Sequence, residues 1–199
     1  MPGEWISALS GLGGALIGGL CTLVGVLMQV KAGDVAQTRS EDIQVKAILQ
    51  ALHDELVTLY KVYRSTIGDQ IAAHPSGQPF LFHWPLSSEY FSIYHGNAVF
   101  IGRLNDNALR KSIIQAYTYA KSLIDSVGFN NTLIGKLEQS FFVKSQAPTD
   151  VNEQMYEWHR QQLTRYSDEL KVSHELLVRG IEDTLRRLRK AGVLSEHNR

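Results

Sequence analysis

From Trp5 to Val30 the chain carries no charged side chain, and Glu4 and Lys31 close the run on either side. No other feature narrows the possible folds so far. As an α-helix rising 1.5 Å per residue, the run reaches about 39 Å, enough to cross a hydrocarbon core of about 30 Å with some tilt or a buried end. It reads as a transmembrane helix. Ser7, Gly11, Gly14, Gly18, Cys21 and Gly25 follow at steps of 4, 3, 4, 3 and 4, a heptad stripe of small side chains, with Leu9, Leu12, Leu16, Leu20, Leu23 and Leu27 largely on the other faces. Glycine is common in membrane helices generally. Strict heptad phase is not, and Gly14 with Gly18 forms the Gly-x-x-x-Gly pair of self-associating spans, so the stripe points to a homo-oligomer packed along it, as a tight anchor or as a pore closed by dewetting.

A cleaved signal peptide is the competing reading, and the residues oppose it. The only side-chain charge before the run is Glu4, whereas a signal peptide needs a positive start and an apolar core of about 7–15 residues. Leu20 before Cys21 also spoils a lipoprotein box. Lys31, Arg39 and Lys46 follow the run, so the positive-inside rule places the large domain in the cytoplasm of a single-pass protein. The expected organisation is residues 1–31 as span and short N-terminus, then residues 32–199 as one cytosolic helical domain. Gly33 is the expected hinge between them, since glycine weakens a helix interior.

Beyond the span the periodicity is helical throughout and the expected fold class is all-α, a multi-helix bundle with a long C-terminal helix. Ile43, Ile48, Leu49, Leu52, Leu56, Leu59, Tyr63 and Ile67 recur at three- and four-residue steps, predicting an amphipathic helix. The stretch 74–88 holds Pro75, Gly77, Pro79 and Pro85 among Phe80, Leu81, Phe82 and Trp84, an aromatic loop packed down on the fold. Ser87 or Ser88 is placed to cap a short helix ending near Gly102, and Asp106 to cap the next. That helix is expected to break near Gly128, Asn130 and Asn131 before Leu133 resumes the pattern. Pro148 and Thr149 open the last helix, which runs to a stop at Gly192. Its length, about 40 residues, suggests a coiled-coil or oligomer-bridging role.

Catalytic signatures are missing. The seven histidines show no His-Glu-x-x-His spacing, and neither a Walker loop nor a Gly-x-Ser-x-Gly elbow occurs. The one cysteine, Cys21, lies in the apolar run, which excludes an intrachain disulfide and any Cys-based metal site outside it. His53-Asp54-Glu55 and His174-Glu175 sit on helices where adjacent side chains diverge, so each reads as a solvated face. The expectation is no enzyme, no metal and no cofactor. Twenty acidic and twenty basic residues balance, so any polyanion site must be local. The best candidate lies between Tyr90 and Asn131, where Arg103, Arg110, Lys111, Tyr117 and Lys121 combine cations with an aromatic face, as a phosphate-bearing ligand requires. On residue types alone, tyrosines in the core with a wetted rim of charge is the commoner outcome.

The segment YFSIYHGNAVFIGRLNDNALRKSIIQAYTYAKSLIDSVGFNN, Tyr90 to Asn131, together with the single N-terminal span, resembles the membrane effectors of bacterial antiphage operons of the Hailong type. The resemblance covers about a fifth of the chain plus the overall layout, and carries no diagnostic motif. It implies a homotetrameric channel of the bacterial inner membrane, held closed by single-stranded DNA oligomers from a partner nucleotidyltransferase and opened when the oligomer is lost. Arg103, Arg110, Lys111, Tyr117 and Lys121 would form the implied ligand surface. Effectors linked to cyclic nucleotides share the layout, so a cyclic nucleotide is the other candidate ligand. The alternative from another class is a membrane-tethered scaffold whose long C-terminal helix recruits a protein partner.

Overall fold

The computed structural model describes residues 40–85 and 90–193, together with Val26 and Gln29. The small-residue stripe of Ser7, Gly11, Gly14, Gly18, Cys21 and Gly25, the hinge Gly33 and the caps Ser87 and Ser88 lie outside the described residues. Among the described residues no helix is long and apolar enough to cross a membrane. The chain divides into two units, residues 1–47 and 48–199, and in the first of them residues 40–47 are helical. The described residues of the second unit are all-α, with no strand.

Helix α1 begins the second unit as residues 48–63, continues through one π-turn, Arg64–Gly68, and ends as Asp69–Ala73. Two single-turn helices, α2 (Ser92–Gly96) and α3 (Ala98–Gly102), stand where one short helix is predicted. Asn97 divides them: its backbone leaves the helical region and its side-chain amide donates to the Ile93 carbonyl at 2.8 Å. Helices α4 (Asn107–Gln146) and α5 (Asp150–Lys190) follow, 40 and 41 residues long, or roughly 60 Å each.

Both long helices start where the sequence places them, α4 at its expected cap. The Asp106 carboxylate accepts the Ala108 and Leu109 N–H groups at 2.8 and 2.9 Å, and the Thr149 hydroxyl accepts that of Asn152. The predicted break near Gly128, Asn130 and Asn131 does not occur. Leu109, Ile113, Ala116, Leu123, Val127, Asn130, Ile134 and Leu137 are buried along one continuous heptad seam, and burial on both sides of the two asparagines carries the helix through them. Gly192, at φ +85°, stops α5 as expected, with the Val193 N–H returning to the Leu188 carbonyl at 3.1 Å.

The buried seam of α5 is Leu163, Ser167, Leu170, His174, Leu177, Ile181, Thr184 and Leu188, again stepping alternately by four and three. Thr184 donates to the Ser112 carbonyl at 2.9 Å near one end of the pair, and Lys144 to Glu153 at 2.8 Å near the other, so α4 and α5 form an antiparallel hairpin in fixed register. The apolar seam of the last helix is thereby buried against α4 of the same chain.

Three seam positions are polar, and each holds a different element. Ser167 accepts the Phe80 N–H at 2.8 Å, His174 meets the Tyr63 hydroxyl at 2.5 Å, and Thr184 ties α5 to α4. The loop after α1 follows the hairpin: Lys171 donates to the His74 carbonyl, Asn130 to that of Phe80, and Asn131 exchanges bonds with both the N–H and C=O of Trp84. Beyond that level the hairpin's core is Leu133, Ile134, Leu137 and Leu163, with Tyr156 and Tyr166 packed against it.

Gly180 sets how closely α4 and α5 approach, because a Cβ there would lie 2.9 Å from Tyr119 Cδ2 and 3.8 Å from the Ala116 Cα. Gly180→Leu is expected to cost about 1–3 kcal/mol through overpacking. Gly135, helical with nothing within 4 Å of an added Cβ, behaves oppositely: Gly135→Ala is expected to add about 0.5–1 kcal/mol. Urea unfolding followed by circular dichroism checks both, and midpoints shifting in the same direction would contradict this packing.

Candidate functional site

Where α1, α4 and α5 meet the segment entering α2, the packing leaves a half-open pocket of about 110 Å³. Leu56 and Tyr63 of α1, Leu123 of α4, Leu177 of α5, and Trp84 and Phe91 of the loops supply its main walls, and no charged side chain lines it. Tyr63 stands at the start of the π-turn, a local irregularity frequent at functional sites. Its ring lies beside Gly68, where a Cβ would come within 2.8 Å of Tyr63 Cε1, and near-parallel to Trp84 at a centroid separation of 6.5 Å.

Behind this wall the Tyr63 hydroxyl shares a hydrogen bond with Nδ1 of the buried His174. Burial holds the Tyr63 phenol protonated well above its ordinary range. Burial also lowers the His174 pKa; Arg64 and Lys171 act in the same direction, Glu175 and Asp69 against it. A neutral imidazole is the state that can accept the tyrosine proton bond. Arg64 itself pairs with Asp69 at 2.5 Å, outside the pocket lining.

The wall at Phe91 is organised by Glu55. Its carboxylate accepts the Ile93 N–H at 2.8 Å, the Tyr94 N–H at 3.1 Å and the Tyr117 hydroxyl at 2.6 Å. It satisfies first-turn donors of α2, whose preceding residue, Phe91, has no capping side-chain bond and sits in the left-handed region at φ +70°. For a bulky residue that conformation costs on the order of 1–2 kcal/mol. Tyr117 stacks on Tyr94 at 4.0 Å and meets Phe91 edge-on at 5.4 Å, so the carboxylate and three rings form one connected cluster. Burial first, then the bond to Glu55, raises the Tyr117 pKa far above that of a solvated phenol.

Of the sequence-derived ligand residues, Tyr117 and Arg110 are engaged within the fold. Tyr117 is only 2 % exposed and its hydroxyl and ring are engaged, so it offers no face to a base. Arg110 donates to the Leu104 carbonyl at 2.7 Å and to Asn107, closing the turn before α4. Arg103 and Lys111 are exposed, and Lys121 is exposed beside Asp125 at 3.8 Å. Among the described residues no group of three or more His, Cys, Asp or Glu could hold a metal ion. The expectation of solvated faces at His53-Asp54-Glu55 and His174-Glu175 is corrected by the fold: His53 and His174 are buried, and the Glu55 carboxylate is taken up by three donors. No local pattern marks Glu55, Tyr63 or His174, because their partners lie 62 and 111 residues away. Comparison with protein-family models, curated proteins and solved structures finds no match.

Two outcomes follow from these contacts. Glu55→Ala leaves the buried Tyr117 hydroxyl and two helix donors without their acceptor, and is expected to cost about 2–3 kcal/mol, whereas Tyr117→Phe, which keeps the ring, is expected to cost about 1 kcal/mol. Calorimetric melting of the two variants measures the difference. For His174 the folded pKa lies below the ordinary 6.5, so its contribution is complete above pH 6.5 and is lost as the pH falls through the folded pKa. His174→Gln should reduce the loss of stability between pH 7 and 5, and an unchanged pH slope would remove His174 as its source.

Proposed function

We propose that the chain is an oligomeric single-span membrane effector of antiphage defence, whose helical domain responds to a nucleotide or a short single-stranded DNA oligomer. The observation that carries the reading is the charge-free run from Trp5 to Val30 with its heptad of small residues, which fits several copies meeting around one axis. The resemblance of the segment Tyr90 to Asn131 supports the same class and a tetramer in the bacterial inner membrane. In this reading Arg103, Lys111 and Lys121 attract phosphates, and base stacking by Tyr117 plays no part because that ring is in the core. The ligand sets the state of the membrane bundle only through unequal affinity for its closed and open forms. With no charge between Glu4 and Lys31, a pore along the stripe is gated by packing and wetting.

A second reading, a membrane-tethered scaffold, has its own support. The far half of the α4–α5 hairpin exposes Phe142, Val151, Met155 and Trp158, at 64, 68, 51 and 53 %, an apolar surface suited to a protein partner.

Dye release from liposomes carrying the full chain separates the two. The effector reading expects release that changes at least tenfold on adding or removing a short oligo-dT, and that Gly14→Leu with Gly18→Leu abolishes. Lys111→Glu with Lys121→Glu should weaken oligo-dT binding at least tenfold and flatten its salt dependence. Liposomes that stay sealed under every ligand condition would leave an anchor, and so the scaffold.

A further inference from the structure

The walls of the pocket beside Trp84 are held from behind, while their apolar surfaces face inward. Tyr63 is restrained by its bond to His174 and by close contact with Gly68. Phe91 is restrained by its left-handed backbone, by the Tyr117 ring, and by the Glu55 bonds to the two N–H groups that follow it. A core shaped for stability alone closes such a gap by shifting side chains, since interiors pack to crystal density. Here polar anchors on both sides resist that collapse, and strain of the kind seen at Phe91 is characteristic of functional sites.

We infer that this pocket binds an uncharged hydrocarbon group, either one six-membered ring or the last few carbons of an alkyl chain. Its volume of about 110 Å³ sets the size. An apolar cavity of about 150 Å³ accepts benzene, and the half-open mouth lets the rest of a larger ligand remain outside. The lining sets the chemistry: it contains no charged side chain, its polar atoms are confined to the edges of Tyr60, Tyr63, Trp84 and Tyr90 among eleven apolar residues, and the Tyr63 and Tyr60 hydroxyls already bond His174 and Arg64. A phosphate would be desolvated there with no charge to compensate it, whereas a hydrocarbon loses nothing by leaving water. The pocket is therefore distinct from the cationic positions Arg103, Lys111 and Lys121, and the inference stands whether or not those bind a nucleotide.

Ala120, the smallest side chain in the lining, gives the test, because Ala120→Leu fills the pocket from α4 without removing a contact. The full chain in lipid nanodiscs is titrated with 4-fluorotoluene and followed by ¹⁹F NMR; partition into lipid is common to both proteins and cancels in the comparison. Wild-type protein should show saturable binding that Ala120→Leu weakens at least tenfold with no loss in melting temperature, and benzoate should not compete. Displacement by toluene alone identifies a ring as the preferred occupant, and displacement by 1-octanol alone an alkyl chain; each supports the shared chemistry. Should the variant fold poorly, nuclear Overhauser contacts from 4-fluorotoluene to the Ala120 and Leu123 methyl groups of the wild type place the ligand directly. No saturable binding in the wild type, equal binding in a folded Ala120→Leu, or contacts elsewhere would overturn the inference.

Discussion

The second unit depends on one constraint: two long helices with apolar heptads must bury them against each other, and the seam they form is not wholly apolar. A purely aliphatic α5 would pair with α4 and offer nothing specific to the rest of the chain. Ser167, His174 and Thr184 interrupt the aliphatic run, and each buried polar atom needs a partner to avoid a penalty of about 1–3 kcal/mol. The partners come from three places: the loop at Phe80, helix α1 at Tyr63, and the facing helix at Ser112. Polar seam residues commonly set register in coiled coils. Here they set the positions of a loop and a third helix as well.

The same logic explains why a pocket persists where α1 meets the hairpin. Hydrophobic burial is non-directional and favours closing gaps, whereas hydrogen bonds fix atoms at particular separations. Tyr63 and Phe91 belong to the apolar lining, but the atoms that restrain them are polar and lie behind it. Glu55 does most on one side, because a single carboxylate serves both the first turn of α2 and the Tyr117 hydroxyl. His174 does the same on the other, in its neutral form. The π-turn at Arg64–Gly68 lies next to Tyr63, so the irregular part of α1 and the irregular part of the core coincide.

Much of the helical layout was legible in advance. Asp106 and Thr149 announced the starts of α4 and α5, Gly192 the stop, and the prolines between Pro75 and Pro85 the loop, because capping and breaking are local effects. Local signals mislead where long-range burial outvotes them. Gly128, Asn130 and Asn131 look like a break, yet the seam on either side is buried and both amides bond the passing loop. Ser167, His174 and Thr184 look like solvent-facing positions by composition, yet they lie in the buried seam of α5. Tyr117 beside cations looks like a ligand platform, but its hydroxyl has a buried acceptor 62 residues earlier in the chain.

By itself, the sequence determined what depends on neighbours along the chain: a charge-free apolar run at the N-terminus, helical periodicity after it, the caps, the loop, and the lack of any catalytic spacing. Tertiary structure alone decided which face of each helix is buried, that the last helix folds back on α4 of its own chain, and that Glu55, Tyr63, Tyr117 and His174 belong to one region around a pocket. The physical reason is range. Capping and periodicity act within one or two turns, whereas a buried hydrogen bond between residues 111 apart exists only once the helices have packed.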